Sequence, residues 1–203
     1  LVSGFDSLPV SKTGFNMTCI VGVIDRARKC VVIGGDSAAI GDNSVIIRKD
    51  PKVFFNGEFL IGCTTSFRMI NLLRFSFVPP EIKTKDIYRY MCTDFVDEAR
   101  RCFVNGGYLM KGDHGDDRGG TFLVGYHDRL FEISEDFQVA ESASGYGSVG
   151  CGSDFALGAL YILIKNKTYS DSRLLVKQAL SAAECYSTGV QGPFTILSTK
   201  TKK

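Results

Sequence analysis

Two apolar runs constrain this chain more than anything else in it. Met17-Thr18-Cys19-Ile20-Val21-Gly22-Val23 and Val31-Val32-Ile33-Gly34-Gly35-Asp36-Ser37 are rich in β-branched residues and separated by Asp25-Arg26-Ala27-Arg28-Lys29. They predict a β-hairpin buried on at least one face. The first run opens on a threonine directly after a methionine, and the second closes on small residues and an aspartate. If Met17 and the residues before it are removed, Thr18 carries a hydroxyl and a free α-amine on one carbon frame. A threonine hydroxyl is a poor nucleophile until a base takes its proton, and an α-amine with an unperturbed pKa of about 7.7 to 8.0 is such a base. This chemistry needs no histidine, and the chain has only two, His114 and His127.

The 203 residues are expected to form one domain over residues 18–203, with residues 1–17 a propeptide, a tag or a mis-assigned start. A net charge of +2, with no basic stretch interleaved with aromatics, argues against a nucleic-acid partner. No apolar run reaches the ~18 to 20 residues of a membrane span, so no membrane partner is expected. The seven cysteines stand singly without a C-x-x-C pair and read as small buried hydrophobes in a reducing, cytoplasmic setting. Asp113, His114, Asp116 and Asp117 invite a metal reading, but their spacing fits no EF-hand loop and a solvated surface loop is expected instead. No cofactor is called for: Gly150-Cys151-Gly152-Ser153 lacks the third glycine and later acidic residue of a dinucleotide site.

Along the chain, strands are expected at residues 45–47, 52–55 and 59–63, the last two lying beside the first hairpin and joined at an Asn56-Gly57 turn. Met69, Leu72, Leu73 and Phe77 then recur at helical spacing until Pro79-Pro80 stops the helix. Ile87, Met91, Phe95 and Ala99 repeat every four residues and predict a second helix over 85–104. Strands return at 121–126, 130–133 and 138–140, and a glycine-rich turn leads into a helix with Ser153 as N-cap. A last helix over 170–186, with Leu175, Ala179, Ala182 and Tyr186 on one face and Gly189 as C-terminal cap, precedes a closing strand at 192–197.

Thr18 opening a strand, Gly34-Gly35-Asp36-Ser37 closing the next, and Asp50-Pro51-Lys52-Val53-Phe54 soon after resemble the proteasome β-subunit and its bacterial relative HslV, which are N-terminal nucleophile (Ntn) hydrolases. The resemblance runs from Thr18 to about residue 198 and is weakest in the middle third. It implies an α+β fold, a four-layer αββα sandwich of two stacked, mainly antiparallel sheets covered by helices, which the order of predicted elements also suits.

The resemblance also implies a site. Thr18 would be the nucleophile, with Lys52 lowering the cost of an alkoxide and Asp36, sixteen residues earlier, orienting and neutralising the lysine. Cys151 takes the place of a serine near the threonine amine and, as a thiol, bonds more weakly. Glu184, Ser187 and Gly189 match a segment that buttresses the N-terminus, with glutamate in place of aspartate. An oxyanion hole is expected from a backbone N–H near Thr65 or Ser66 at a helix start, and Thr64 would help set side-chain preference. Phe67, next to a Thr64-Thr65-Ser66 run that stands where the family has Ala-Gly-Gly, narrows the pocket.

Together these residues imply a threonine-type endopeptidase of the HslV kind, acting on peptides or unfolded proteins from within a homo-oligomeric ring, fed by an ATPase unfoldase. With Met17 still ahead of Thr18 the chain reads as an inactive precursor form. Met17 in place of glycine before the threonine favours removal by an aminopeptidase over autolysis. Two rivals stay open: a catalytically silent ring subunit, and an Ntn amidase acting on a small or specific substrate. Cys19 as nucleophile would require cleavage one residue later.

Overall fold

In a computed structural model of the chain, which describes residues 17–41, 44–111 and 117–200, the first hairpin forms from β1 (Ile20–Asp25) and β2 (Cys30–Gly35). A small hairpin comes next, β3 (Ala38–Gly41) with β4 (Ser44–Ile47), and then β5 (Val53–Asn56) and β6 (Phe59–Cys63). Helix α1 (Phe67–Phe75) is followed by α2 (Ile87–Tyr90), a π-helical turn (Met91–Phe95) and α3 (Val96–Asn105). The short β7 (Met110–Lys111) and β8 (Asp117–Arg118) pair with each other, ahead of β9 (Phe122–Tyr126), β10 (Arg129–Ile133), β11 (Val139–Glu141) and β12 (Tyr146–Val149). Helices α4 (Ser153–Lys165) and α5 (Ser172–Tyr186) precede β13 (Thr195–Ser198).

The strands make two principal antiparallel sheets, one in the order β12-β1-β2-β13 and the other β11-β10-β9-β6-β5. β5 and β6 therefore sit in the second sheet and not beside the first hairpin as expected. Side-chain alternation explains why: Ile20, Val31 and Ile33 face Val53, Leu60, Leu123 and Leu130 of the other sheet, while the intervening Val21, Val23 and Val32 face Ala156, Leu160, Val176 and Leu180 of α4 and α5. A strand apolar on both faces needs a partner on each, so the second hairpin stacks on the first. The outer face of the second sheet packs Phe54, Ile61, Val124 and Phe131 against Met69, Leu73, Phe95 and Phe103 of the helices after β6. At Gly34 a Cβ would lie 2.4 Å from Val176 Cγ1, so glycine there lets α5 settle directly on β2.

The turn between β5 and β6 is Gly57-Glu58, one residue later than expected. Asn56 ends β5, and its side-chain amide donates to the carbonyls of Leu73 and Phe77 at 2.8 Å each, closing the C-terminal end of α1. The four-residue repeat of Ile87, Met91, Phe95 and Ala99 would drift by roughly 40° per step on an ideal α-helix. The wider π turn at Met91–Phe95 takes up that drift and keeps Met91, Phe95 and Ala99 fully buried.

Two capping expectations are corrected. Helix α4 begins at Ser153 with Gly152 as its N-cap and no side-chain capping bond, because the preceding glycine turn already aims backbone groups at Thr18. Helix α5 ends at Tyr186 with Ser187, not Gly189, as its C-cap, and its buried stripe is Leu175, Val176, Ala179, Leu180 and Ala183, with Tyr186 72% exposed. Residues 1–16 and the Asp113, His114 and Asp116 loop lie outside the described residues. Among the described residues no group of three histidine, cysteine or carboxylate side chains is placed to hold a metal, no helix is long and apolar enough to cross a membrane, and all seven cysteines are unpaired.

Candidate active site

Thr18 lies at the head of β1, 4% exposed, where three backbone-directed contacts hold it. Its carbonyl accepts from Gly152 N–H at 3.3 Å and from the Cys151 thiol at 3.4 Å, and its own N–H donates to Cys151 Sγ at 3.3 Å. The turn that delivers these groups depends on Gly150, whose φ is +101° and whose Cβ, if present, would sit 2.3 Å from the Thr18 carbonyl oxygen. Glycine is the residue that such a backbone and such an approach require.

Asp36 comes directly after the end of β2. The β1–β2 register sets Ile20 opposite Gly35, which brings Asp36 level with Cys19. One carboxylate oxygen accepts from Cys19 N–H at 3.0 Å and the other from Ala38 N–H at 3.1 Å. Both also meet Lys52 Nζ, at 3.0 and 2.9 Å. The lysine, placed just before β5 and 3% exposed, donates in turn to Thr18 Oγ1. Burial pulls the Lys52 ammonium below the usual lysine range, while the charge and hydrogen bonds of Asp36 draw it back up. The arrangement is a buried cation, held by a carboxylate, aimed at a hydroxyl oxygen.

The neighbouring cysteine is of another kind. Burial pushes the Cys19 thiol up to about 12, and its Sγ lies 3.6 Å from Ser148 Oγ on the side of β1 away from Lys52. Such a thiol stays protonated and is no nucleophile as it stands.

Thr18 and Lys52 open on a cleft of about 370 Å³, bounded also by Ile46, Thr64, Thr65, Phe67 and Ile70. Thr64 is tied down at the cleft floor, its hydroxyl donating to the Thr121 carbonyl at 2.8 Å. Thr65 has a φ of +60°, and the tight turn it makes joins Ser66 N–H to the Thr64 carbonyl at 2.7 Å. The Ser66 side chain caps α1 by accepting from Arg68 N–H at 3.1 Å. With Ser66 N–H so engaged, Thr65 N–H stands among the donors at the head of α1, with those of Phe67 and Met69, that have no partner among the described residues.

Of the residues singled out in the sequence, Thr18, Asp36, Lys52 and Cys151 are in direct contact, and Ser187 joins them through its hydroxyl, 3.4 Å from Cys151 Sγ. Glu184 stands apart. It is exposed and accepts from Gly192 N–H at 2.8 Å, bracing the loop before β13 whose Pro193 carbonyl receives the Ser37 hydroxyl. Its carboxylate thus reaches a loop and not the threonine. Gly189 is needed for space, since a Cβ there would meet Cys151 Sγ at 2.4 Å.

Sequence reasoning missed Arg48. Its guanidinium stacks 3.8 Å from the Phe67 ring centroid and is held by Asp50 at 2.7 to 3.1 Å, so Phe67 is pinned at the cleft wall. The only sequence signal is an Arg-x-Asp pair in an extended segment, which is too common to point anywhere.

No protein-family model matches the chain, and no curated protein matches its sequence. Solved structures do. BPH from Thiobacillus denitrificans superposes with a TM-score of 0.74 at 17% identity, covering 91% of this chain and 98% of that one, and the same protein has been solved in complex with epoxomicin. HslV from Trypanosoma brucei gives a TM-score of 0.60 at 19% identity over 89% of this chain and 98% of its own. Anbu from Yersinia bercovieri gives 0.59 at 11% identity over 90% and 81%. The chain therefore has the proteasome-like Ntn-hydrolase fold common to these structures, in keeping with the resemblance its sequence carries.

Proposed function

We propose that this chain, once Thr18 carries a free α-amine, is a threonine-type endopeptidase of the HslV kind. The observation that carries the reading is the buried contact of Lys52 Nζ with both the Asp36 carboxylate and Thr18 Oγ1. An ordinary strand threonine has no use for a desolvated lysine, and burying one is costly unless its charge is employed. In the proposed reaction the α-amine takes the hydroxyl proton and Oγ1 attacks a peptide carbonyl. Lys52 stabilises the developing alkoxide, and Thr65 N–H receives the oxyanion. The amine then gives its proton to the leaving nitrogen, and water hydrolyses the ester. While Met17 is attached, Thr18 N is an amide nitrogen with no basic lone pair, so the chain with residues 1–17 is a precursor.

The same reading includes the finer architecture and setting. Three hydrophobic clusters, one between the two sheets and one on the outer face of each against helices, support a four-layer αββα sandwich. The likeness to HslV and Anbu supports assembly of copies into a ring with an ATPase unfoldase as partner, and the seven unpaired cysteines suit a reducing, cytoplasmic location.

The test is the intact mass of protein expressed from Met17, followed by incubation with epoxomicin, a peptide epoxyketone that needs both the hydroxyl and the free amine of a terminal threonine to close its ring. Loss of the methionine and a stable adduct mapped to Thr18 is the expected result. A retained methionine, or a free Thr18 that never reacts, overturns the peptidase reading in favour of a silent subunit.

A further inference from the structure

Glu132 is out of place. It lies on β10 two residues after Leu130, so it shares the face that packs against the other sheet, on which Leu123, Leu130 and Val149 make an apolar cluster. The register pairs it with Leu123 of β9 and Ala140 of β11, near the end of the stack where Val149 pairs with Ile20 and Thr18 emerges. It is half-buried, and burial pushes its carboxyl up from the usual glutamate range. No hydrogen bond or ion pair reaches it among the described residues. The other carboxylate beside it, Glu141, is held by Arg129 through two contacts of 2.6 Å. An acidic side chain kept on an apolar face without a cation is costly, and the cost needs a counterpart.

Glu132 opens into a groove of about 410 Å³ whose other walls include Thr64, Thr121, Ser148, Cys151 and Ser153. This groove and the cleft beside Phe67 share Thr64; the cleft takes in Thr18 and Lys52, and the groove takes in the Gly150–Cys151 turn whose thiol touches Thr18. The proton transfers decide which half of a substrate enters which side. The oxyanion donor, Thr65 N–H, belongs to the Phe67 cleft, so the acyl half lies there. The Thr18 amine, which must protonate the leaving nitrogen, points at Cys151 in the groove wall.

We infer that the groove receives the residue following the scissile bond, and that Glu132 selects a basic side chain, lysine or arginine, at that position. The inference rests on the threonine-peptidase reading. A lysine or arginine there supplies the cation that the fold withholds from Glu132, and its alkyl stem covers Val149 in the groove wall. An acidic residue at the same place is repelled.

The experiment uses the chain with Thr18 freed and a set of internally quenched peptides identical except for lysine, arginine, alanine or glutamate after the cleaved bond. The expected kcat/KM for lysine or arginine exceeds that for alanine by about tenfold, and glutamate is the poorest. Glu132→Gln brings the lysine-to-alanine ratio close to one, and Glu132→Lys reverses the order so that glutamate is preferred. Epoxomicin has no leaving group, so its reaction with Thr18 reads the nucleophile alone. An epoxomicin adduct together with equal cleavage of all four peptides overturns the assignment of Glu132 while leaving the peptidase reading intact. Absence of both adduct and cleavage overturns that reading and the assignment with it. The wild-type ratios decide the matter even if a Glu132 variant fails to fold.

Discussion

Lys52 and Asp36 together form a buried ion pair with few escape routes. The lysine and the aspartate are 3% and 1% exposed, and the carboxylate is also satisfied by two backbone N–H groups. Removing the lysine leaves a buried carboxylate without its cation, a loss of about 3 to 5 kcal/mol. Lys52→Ala is therefore expected to lower the urea midpoint clearly. Measured where each protein is still folded, it should also slow epoxomicin attack on Thr18 by at least about a hundredfold. A variant that loses stability but reacts at the normal rate would make the lysine structural. At this scale the sequence was informative where a residue type is costly in a given register. Asp36 at the end of a buried strand and Lys52 before another are both unusual, and they meet in space. Glu184 does not reach Thr18: its carboxylate accepts from Gly192 N–H, a placement that no pattern of letters encodes.

The turn after β1 offers a pH test at the level of an element. Burial pushes the Asp25 carboxyl up, but hydrogen bonds from the Arg28 backbone N–H and guanidinium, at 2.9 and 2.8 Å, outweigh it and leave its pKa below the ordinary 3.8. Unfolded Asp25 therefore takes up its proton before the folded one as acid is added. The stability this clip supplies is complete above about pH 3.8 and is lost as the pH falls through the lower folded value. Melting temperature against pH should fall less steeply in that acid window for Asp25→Asn than for the wild type. Element identity was largely legible, since period two and period four announce themselves over five or more residues. Placement was harder. That β5 and β6 belong to a second sheet is a consequence of β1 and β2 being apolar on both faces, a clue visible only when the two hairpins are considered together. The caps failed for a local reason: Gly150 and Gly152 are committed to Thr18, so the start of α4 takes what backbone is left.

For the whole molecule, Phe155, Tyr161 and Ile162 on α4 and Tyr186 on α5 are 42 to 72% exposed. With assembly into a ring as proposed, copies of the chain bury part of this outer helical face, and the native mass should be a whole multiple of the mass of the chain that begins at Thr18. Ile162→Lys is expected to shift the sedimentation profile towards smaller species without lowering the melting temperature of the subunit, and an unchanged profile would remove this face from the interface. Oligomer size was not legible in the sequence, because an exposed isoleucine is written the same way as a buried one. The clamp on the Thr18 carbonyl has a bearing on how activity would begin. A terminal residue ordinarily frays, and holding its backbone costs about 1 to 2 kcal/mol of conformational entropy. Here Gly152 N–H and the Cys151 thiol grip the carbonyl and Lys52 grips the hydroxyl, all before any bond is cut. Severing the link to Met17 then works like cutting the sprue from a finished casting: the shape is already set, and what is released is an amine standing at its post.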